Sequence, residues 1–170
     1  MRFSMPLVLA LALAACDRSE TPPTPEVSAN DVAAQLAQVE IEPGQWQATT
    51  EIVSAEGPLP QAVIRQMVGR RTNASNCITP EQAKRPDASF LSAQQNSQCT
   101  YHEFSMQGGK LRGRMTCTSP DMPAEMETVM NGDYGPRAYD MTLNMSPTLP
   151  GGGAMKITAR TRGERVGACT

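Results

Sequence analysis

Apolar and polar residues alternate with a period of two along most of the chain after residue 97. Five such runs cover about residues 98–106, 111–118, 124–131, 137–146 and 154–162, and turn residues separate them. A period of two is typical of a half-buried strand, and short links between strands favour antiparallel neighbours. The pattern therefore predicts an antiparallel β-meander in the C-terminal half.

A helical period precedes the meander at two places. The first is a set of apolar residues spaced i, i+4, i+7 after Asn30, namely Val32, Leu36 and Val39. It predicts a short amphipathic helix capped by Asn30. The second is residues 58–69, which begin with proline, end with glycine and carry an apolar stripe between them. Proline at the start and glycine at the end are the usual boundaries of a helix.

A third helix and two further strands complete the predicted domain. Thr79 followed by Pro80 is typical of the start of a short helix. Residues 45–53 and a short stretch around Cys77 fit strands. The predicted fold is mainly β, of the α+β class. It is an antiparallel meander of six or seven strands, a curved half-barrel with two or three short helices on one face.

The first residues of the chain indicate where in the cell the protein is located. Residues 1–15 are typical of a secretory signal, because Arg2 precedes an apolar run that is too short to span a bilayer. The tetrad Leu-Ala-Ala-Cys, which ends at Cys16, is similar to a bacterial lipobox. That resemblance implies a diacylglycerol on the Cys16 sulfur and cleavage before Cys16. The alternative is an ordinary signal peptide with an unrelated cysteine. Asp17 resembles the retention signal of the inner membrane in enteric bacteria.

The rest of the chain divides into a tether and one domain. Residues 16–30 are polar and rich in proline, which predicts a semi-extended tether behind the lipid anchor. Residues 31–170 have the length of a single domain. The formal charge of −2 and the pI near 5.4 argue against a nucleic-acid partner. We therefore expect a lipid-anchored protein that faces the periplasm in the bacterial cell envelope, with the inner membrane favoured by Asp17.

Four cysteines remain beyond Cys16, and an even number in an exported chain favours two disulfides over free thiols. They are Cys77, Cys99, Cys117 and Cys169. The alternative is a four-thiolate metal site, but the chain has no C-x-x-C pair and the spacings of 22, 18 and 52 are wide. Disulfides are the better interpretation, and three connectivities remain open at this point.

The segment between Cys99 and Cys117 tests one of these connectivities. A two-residue Gly-Gly turn after residue 107 places apolar side chains on one face and polar side chains on the other, with His102 opposite Met115 on the apolar face. That register puts Cys117 opposite Thr100 rather than Cys99. A one-residue bulge between Tyr101 and Thr116 would restore the cysteine pair without losing the pattern. We therefore predict the pair Cys99–Cys117, and by elimination Cys77–Cys169.

Two segments then resemble a bacterial envelope family called domain of unknown function 3617. Residues 43–50, PGQWQATT, resemble its P-G-x-W-x-x-T opening, and residues 77–82, CITPEQ, resemble its C-x-T-P-E segment. The paired Cys99 and Cys117, the methionine-rich meander and the closing Gly-Ala-Cys at Cys169 also fit, so the resemblance covers about residues 43–169. The chain departs from the family in lacking dense Met-Pro repeats after the first strand. The resemblance implies fold and location, and it assigns no activity or site.

Catalytic patterns are absent from the sequence. His102 is the only histidine, no G-x-S-x-G segment precedes a helix, and no phosphate loop or dinucleotide fingerprint occurs. A lone histidine on an apolar strand face is more often a core residue than a general base. We therefore expect no enzymatic activity and no cofactor.

The methionines suggest two kinds of binding site. Flexible thioethers fill irregular cores, and they also adapt to apolar ligands of varied shape. The residues expected to line an apolar interior are Trp46, Phe104, Met115, Met126, Met130, Met141 and Met145. The sequence thus predicts a non-catalytic lipoprotein that binds a small apolar ligand or an envelope protein. The alternative is a periplasmic Cu(I)-binding protein that uses His102, Met115 and Met126, because thioethers select Cu(I).

Overall fold

The computed structural model describes residues 26–84, 98–119, 122–149 and 151–169. The predicted signal peptide at residues 1–15, the lipidation site Cys16 and residues 16–25 of the predicted tether lie outside the described residues. The elements within them are α1 Ala29–Leu36, β1 Gly44–Glu56, α2 Gln61–Met67, β2 Arg71–Ile78, α3 Pro80–Lys84, β3 Gln98–Gln107, β4 Lys110–Ser119, β5 Met122–Tyr134, β6 Ala138–Pro147 and β7 Lys156–Gly167.

The strands form one open antiparallel sheet, which confirms the predicted mainly β meander. Its order is β2-β1-β7-β6-β5-β4-β3, so β3 to β7 follow one another in space as they do in the chain. The first strand then pairs with the last, and β7 lies between β1 and β6. The last strand of the chain is therefore an interior strand, the third from the β2 edge of the sheet.

Side-chain caps begin two of the helices. The helix α1 begins before Asn30, the predicted cap, because the Ser28 hydroxyl accepts the Asp31 backbone N–H at 3.1 Å. At α3, Thr79 and Gln82 form a reciprocal capping box. The Thr79 N–H donates to Gln82 Oε1 at 2.9 Å, and the Gln82 N–H donates to Thr79 Oγ1 at 3.2 Å. The predicted start of the third helix is confirmed.

The hydrophobic core lies between α1 and one face of the sheet, called here the apolar face. Val32 and Leu36 of α1 are fully buried, at 0% exposure. They pack with residues that the register places on one face of β3, β4 and β5. These residues are Tyr101, Phe104, Met106, Leu111, Met115, Cys117 and Met130. Further buried residues lie elsewhere in the sheet, among them Trp46 of β1, at 5% exposure, and Ala159 of β7, at 1%.

Elements outside the sheet occupy the outer edge of β3. The Val27 N–H donates to the Tyr101 carbonyl at 2.8 Å. The Gln35 side chain bonds the same edge twice, since its Nε2 donates to the Phe104 carbonyl at 3.3 Å and its Oε1 accepts the Met106 N–H at 3.0 Å. Unpaired backbone groups on an edge strand are a template for aggregation, and these bonds satisfy three of them.

Both predicted disulfides are present. Cys99 and Cys117 are directly opposite in the β3–β4 pair, with 4.1 Å between their Cα atoms. Cys77 and Cys169 have their Cα atoms 5.5 Å apart and are 92 residues apart in the chain. Cys77 lies opposite Gln45 on one side of β1, and Gly167 lies opposite Gln45 on the other. The second disulfide therefore links the two neighbours of β1 near its first residues.

The predicted bulge is present, but it is displaced by one residue along β3. In the predicted position it would have kept His102 on the apolar face. Tyr101 pairs with Met115 and Glu103 pairs with Arg114, so His102 is the extra residue. The prediction that His102 lies opposite Met115 is therefore wrong. Tyr101 takes the core position instead, because an aromatic ring gains more from burial there than an imidazole does.

Candidate functional site

The face of the sheet opposite α1, called here the polar face, carries cross-strand rows of charged side chains. One row contains Arg71 of β2, Glu51 of β1 and Arg160 of β7, which are directly opposite one another. The next row contains Arg162 of β7 and Asp140 of β6. Opposite charges in directly facing positions stabilise a sheet by a few tenths of a kcal/mol to about 1 kcal/mol per pair.

A groove of about 670 Å³ lies where these rows meet. Five strands contribute to it, from β2 at the edge across β1, β7 and β6 to β5. Its lining residues are Gln47, Thr49, Glu51, Arg71, Asp133, Tyr134, Ala138, Tyr139, Asp140, Arg160, Arg162, Gly163 and Glu164. A volume of this size is within the range of small-molecule sites, although a lining in which most side chains are charged or polar is unusual for them.

Asp140 is the centre of the charge arrangement in the groove. Arg160 binds it through two nitrogens, with Nε at 2.8 Å from Oδ1 and Nη2 at 2.6 Å from Oδ2. Arg162 adds a third bond, from its Nε to Oδ2 at 3.0 Å. The Arg160 hydrogen bonds first, and then those of Arg162, hold the pKa of the Asp140 carboxyl at about 2, below its usual 3.8. Two guanidinium groups therefore share one carboxylate, which leaves an excess positive charge.

An excess negative charge lies on the same strand. Glu164 is two residues beyond Arg162 in β7 and lies opposite Gln47 and Ala138, neither of which is charged. In the part of the chain that the structure describes, no cation lies within ion-pair distance of Glu164, whereas Glu51 pairs with Arg71 and Asp133 with Lys110. The groove therefore offers one unneutralised charge of each sign.

The low pKa of Asp140 leads to a prediction about pH. A folded-state pKa below the unfolded value gives stability that is present above about pH 4 and is lost as the pH falls toward about 2. We expect wild type to be more stable than Asp140→Asn at neutral pH, and the difference to shrink over that acid range. Urea denaturation of both proteins at a series of pH values measures it.

The same experiment in 1 M salt is the control, since Asp140 is partly exposed and salt screens surface ion pairs. Salt should reduce the neutral-pH difference between the two proteins. A difference that stays constant from neutral pH to pH 2 would contradict the ion-pair interpretation.

The residues expected to line an apolar ligand site are all on the apolar face, away from the groove's charged rows. Phe104, Met115 and Met130 belong to the core beneath α1. Met126, Met141 and Met145 are half-buried on neighbouring positions of β5 and β6. Trp46 is 5% exposed; its indole stacks on the Tyr139 ring, with centroids 6.3 Å apart, and its Nε1 donates to the Glu42 carbonyl.

The structure does not bring the three alternative copper ligands together. Met115 and Met126 are on the apolar face, since Met126 lies opposite Cys117. His102 is on the polar face, where its Nε2 and the Thr116 hydroxyl form a hydrogen bond of 2.9 Å. Within the described residues, no three His, Cys, Asp or Glu side chains are grouped as a metal site would require.

Sequence reasoning missed the charged residues of the groove. The strand segment from Arg160 to Glu164 carries a charge at every second position, which indicates one charged strand face. That signal was available before the structure. The partner of these residues, Asp140, was not predictable, because it depends on which strand lies beside β7.

Comparison with known proteins gives one match. A family model described as "Protein of unknown function (DUF3617)" matches residues 41–169. No curated protein and no solved structure matches the chain significantly. In the ranges that the structure describes, none of the helices has the length and hydropathy needed to cross a membrane.

Proposed function

The chain belongs to the DUF3617 family, proteins of unknown function, and from that premise we propose that it is a lipid-anchored, non-catalytic binding protein of the bacterial envelope. The lipobox-like tetrad ending at Cys16 supports the anchor. Two disulfides support an oxidising compartment, since disulfides persist in the periplasm and are rare in the cytosol. Asp17 favours the inner membrane, with the domain facing the periplasm.

The anchor has a direct test. Wild type expressed with its own leader should partition into the detergent phase of a phase-separating nonionic detergent, because several acyl chains hold a protein in a micelle or membrane. The Cys16→Ser variant should remain in the aqueous phase. An aqueous wild type would contradict lipidation at Cys16.

The groove supports a polar ligand rather than the apolar one expected from the methionines. Its excess positive charge at Arg160 and Arg162 would bind a carboxylate, and Glu164 would bind an ammonium group. The Cα atoms of Arg162 and Glu164, two residues apart in β7, are about 7 Å apart at a rise of 3.3–3.4 Å per residue. This pair of opposite, unneutralised charges is the observation that carries the proposal, and a short peptide with free termini is the ligand that fits it.

Three related probes test this ligand class. The probes are the dipeptide Ala-Ala, which has both terminal charges, its N-acetyl derivative, which keeps only the carboxylate, and its C-terminal amide, which keeps only the ammonium group. Their binding is compared by nuclear magnetic resonance titration. We expect Ala-Ala to shift the amide signals of the groove and to bind at least about tenfold more tightly than either derivative. A charged hydrogen bond contributes about 1.5–3 kcal/mol.

Variants on the polar face locate the binding. Glu164→Gln should remove the preference for Ala-Ala over its N-acetyl derivative. Arg112→Gln, an exposed residue of β4 on the same face but outside the groove, is the matched control and should bind as wild type does. Equal binding of the three probes, or no shift of any groove signal, would overturn the proposal.

A further inference from the structure

The two edge strands of the sheet, β3 and β2, differ in how far their outward backbone groups are hydrogen-bonded. Beside β3, Val27 and Gln35 make three hydrogen bonds with the outward backbone groups, and the bulge at His102 interrupts the edge. Beside β2, the structure gives no such bond to residues 71–77 from any described element other than β1. All seven of these residues are exposed. The described residues thus cover the β3 edge and leave the outer edge of β2 without a backbone partner.

The β2 edge also lacks the features with which proteins prevent edge-to-edge pairing. Proline, lysine and bulges are the usual ones. The strand Arg71–Ile78 contains no proline or lysine, and it pairs with β1 over eight consecutive residues without a register shift. Its only charge, Arg71, is at one end. We propose that β2 is a docking edge for β2 of a second copy of this chain, in antiparallel orientation.

The sequence of β2 is self-complementary in that orientation. With Ala74 on the two-fold axis, Asn73 lies opposite Ser75 of the second copy, and Thr72 lies opposite Asn76. Amide and hydroxyl side chains in these positions can bond across the strands. The two Arg71 side chains are then at opposite ends, about 20 Å apart at 3.3–3.4 Å per residue. Parallel pairing would place them side by side.

The resulting dimer has a definite shape. A two-fold axis perpendicular to the sheet makes the interface isologous and keeps both polar faces on the same side. Two seven-stranded sheets become one continuous sheet, and both grooves open on one surface. The proposal rests on the free edge and not on any groove ligand, so it stands or fails separately from peptide binding.

Sedimentation analysis of the Cys16→Ser chain over increasing concentration tests the dimer. We expect a monomer–dimer equilibrium in wild type. Ala74→Lys places two like charges opposite each other on the axis, and it should weaken the dimer by at least about tenfold. Thr72→Lys adds the same charge opposite Asn76 and should weaken it far less. Ala74 and Thr72 are both exposed, so both variants should keep the melting temperature of wild type.

Hydrogen exchange identifies the interface. Within residues 71–77, the alternate amides that point away from β1 should gain protection at concentrations where the dimer forms. The proposal is overturned if wild type remains monomeric at millimolar concentration, if both lysine variants dissociate equally, or if the protected amides lie elsewhere.

Discussion

Replacing both Cys77 and Cys169 with alanine is expected to lower the free energy of unfolding by about 4.5 kcal/mol. The disulfide closes a loop of 92 residues, and the chain-entropy model gives that value for a loop of this length. Both cysteines are exposed, so their replacement removes little packing. Urea denaturation of wild type and variant, with two-state fits, measures the difference.

Single substitutions are the control for this prediction. Cys77→Ala and Cys169→Ala each break the same bond, so each should lose as much stability as the double variant. Single effects that add up to the double effect would show that the side chains matter and the cross-link does not. In that case the chain-entropy explanation would be wrong.

Gly163→Ala is expected to cost about 1–3 kcal/mol, the usual range for overpacking a well-packed site. A Cβ at Gly163 would lie inside contact distance of the Tyr139 ring. That ring is held in a stack on Trp46 with an interplanar angle of 16°. The Tyr139 ring must therefore move. It then loses either its stack on the Trp46 indole or its contact with the β7 backbone at Gly163. Thermal unfolding measures the cost, and the fluorescence of Trp46, the only tryptophan, reports the displaced stack.

Gly167→Ala is the matched control, because it lies in the same strand and a Cβ there meets no atom within 4 Å. We expect unchanged stability and unchanged fluorescence. A Gly163→Ala protein that matches Gly167→Ala in both measurements would contradict the close packing of Tyr139.

Local patterns predicted the local structure well. The alternation after residue 97 gave all five C-terminal strands, and the geometry of one hairpin gave the Cys99–Cys117 pair with its bulge. The residue that forms the bulge was predicted wrongly. Either of two adjacent residues, Tyr101 or His102, could be the extra one and still leave Cys99 opposite Cys117. Only the space beneath α1 decides between them, and that space is set by residues far away in the chain.

Long-range pairing explains why the groove was not predicted. Alternate charges such as Arg160 and Arg162 indicate a solvated strand face in any exposed sheet. They form a groove only because β7 lies between β1 and β6, which brings Glu51 and Asp140 to either side of them. A meander with short links does not specify where its last strand meets the first. Most apolar positions were predictable by contrast, since the period of two assigns alternate residues to opposite faces of the sheet.

The position of β7 also determines the order in which the protein can be completed. Until residues 156–167 exist, the pair β1–β2 and the meander β3–β6 share no ladder of backbone hydrogen bonds, and β1 and β6 each present a bare edge. A nascent chain that still lacks its last segment is therefore two separate, incomplete sheets. Native pairing across the whole sheet can form only once residues 156–167 are present to join these two parts.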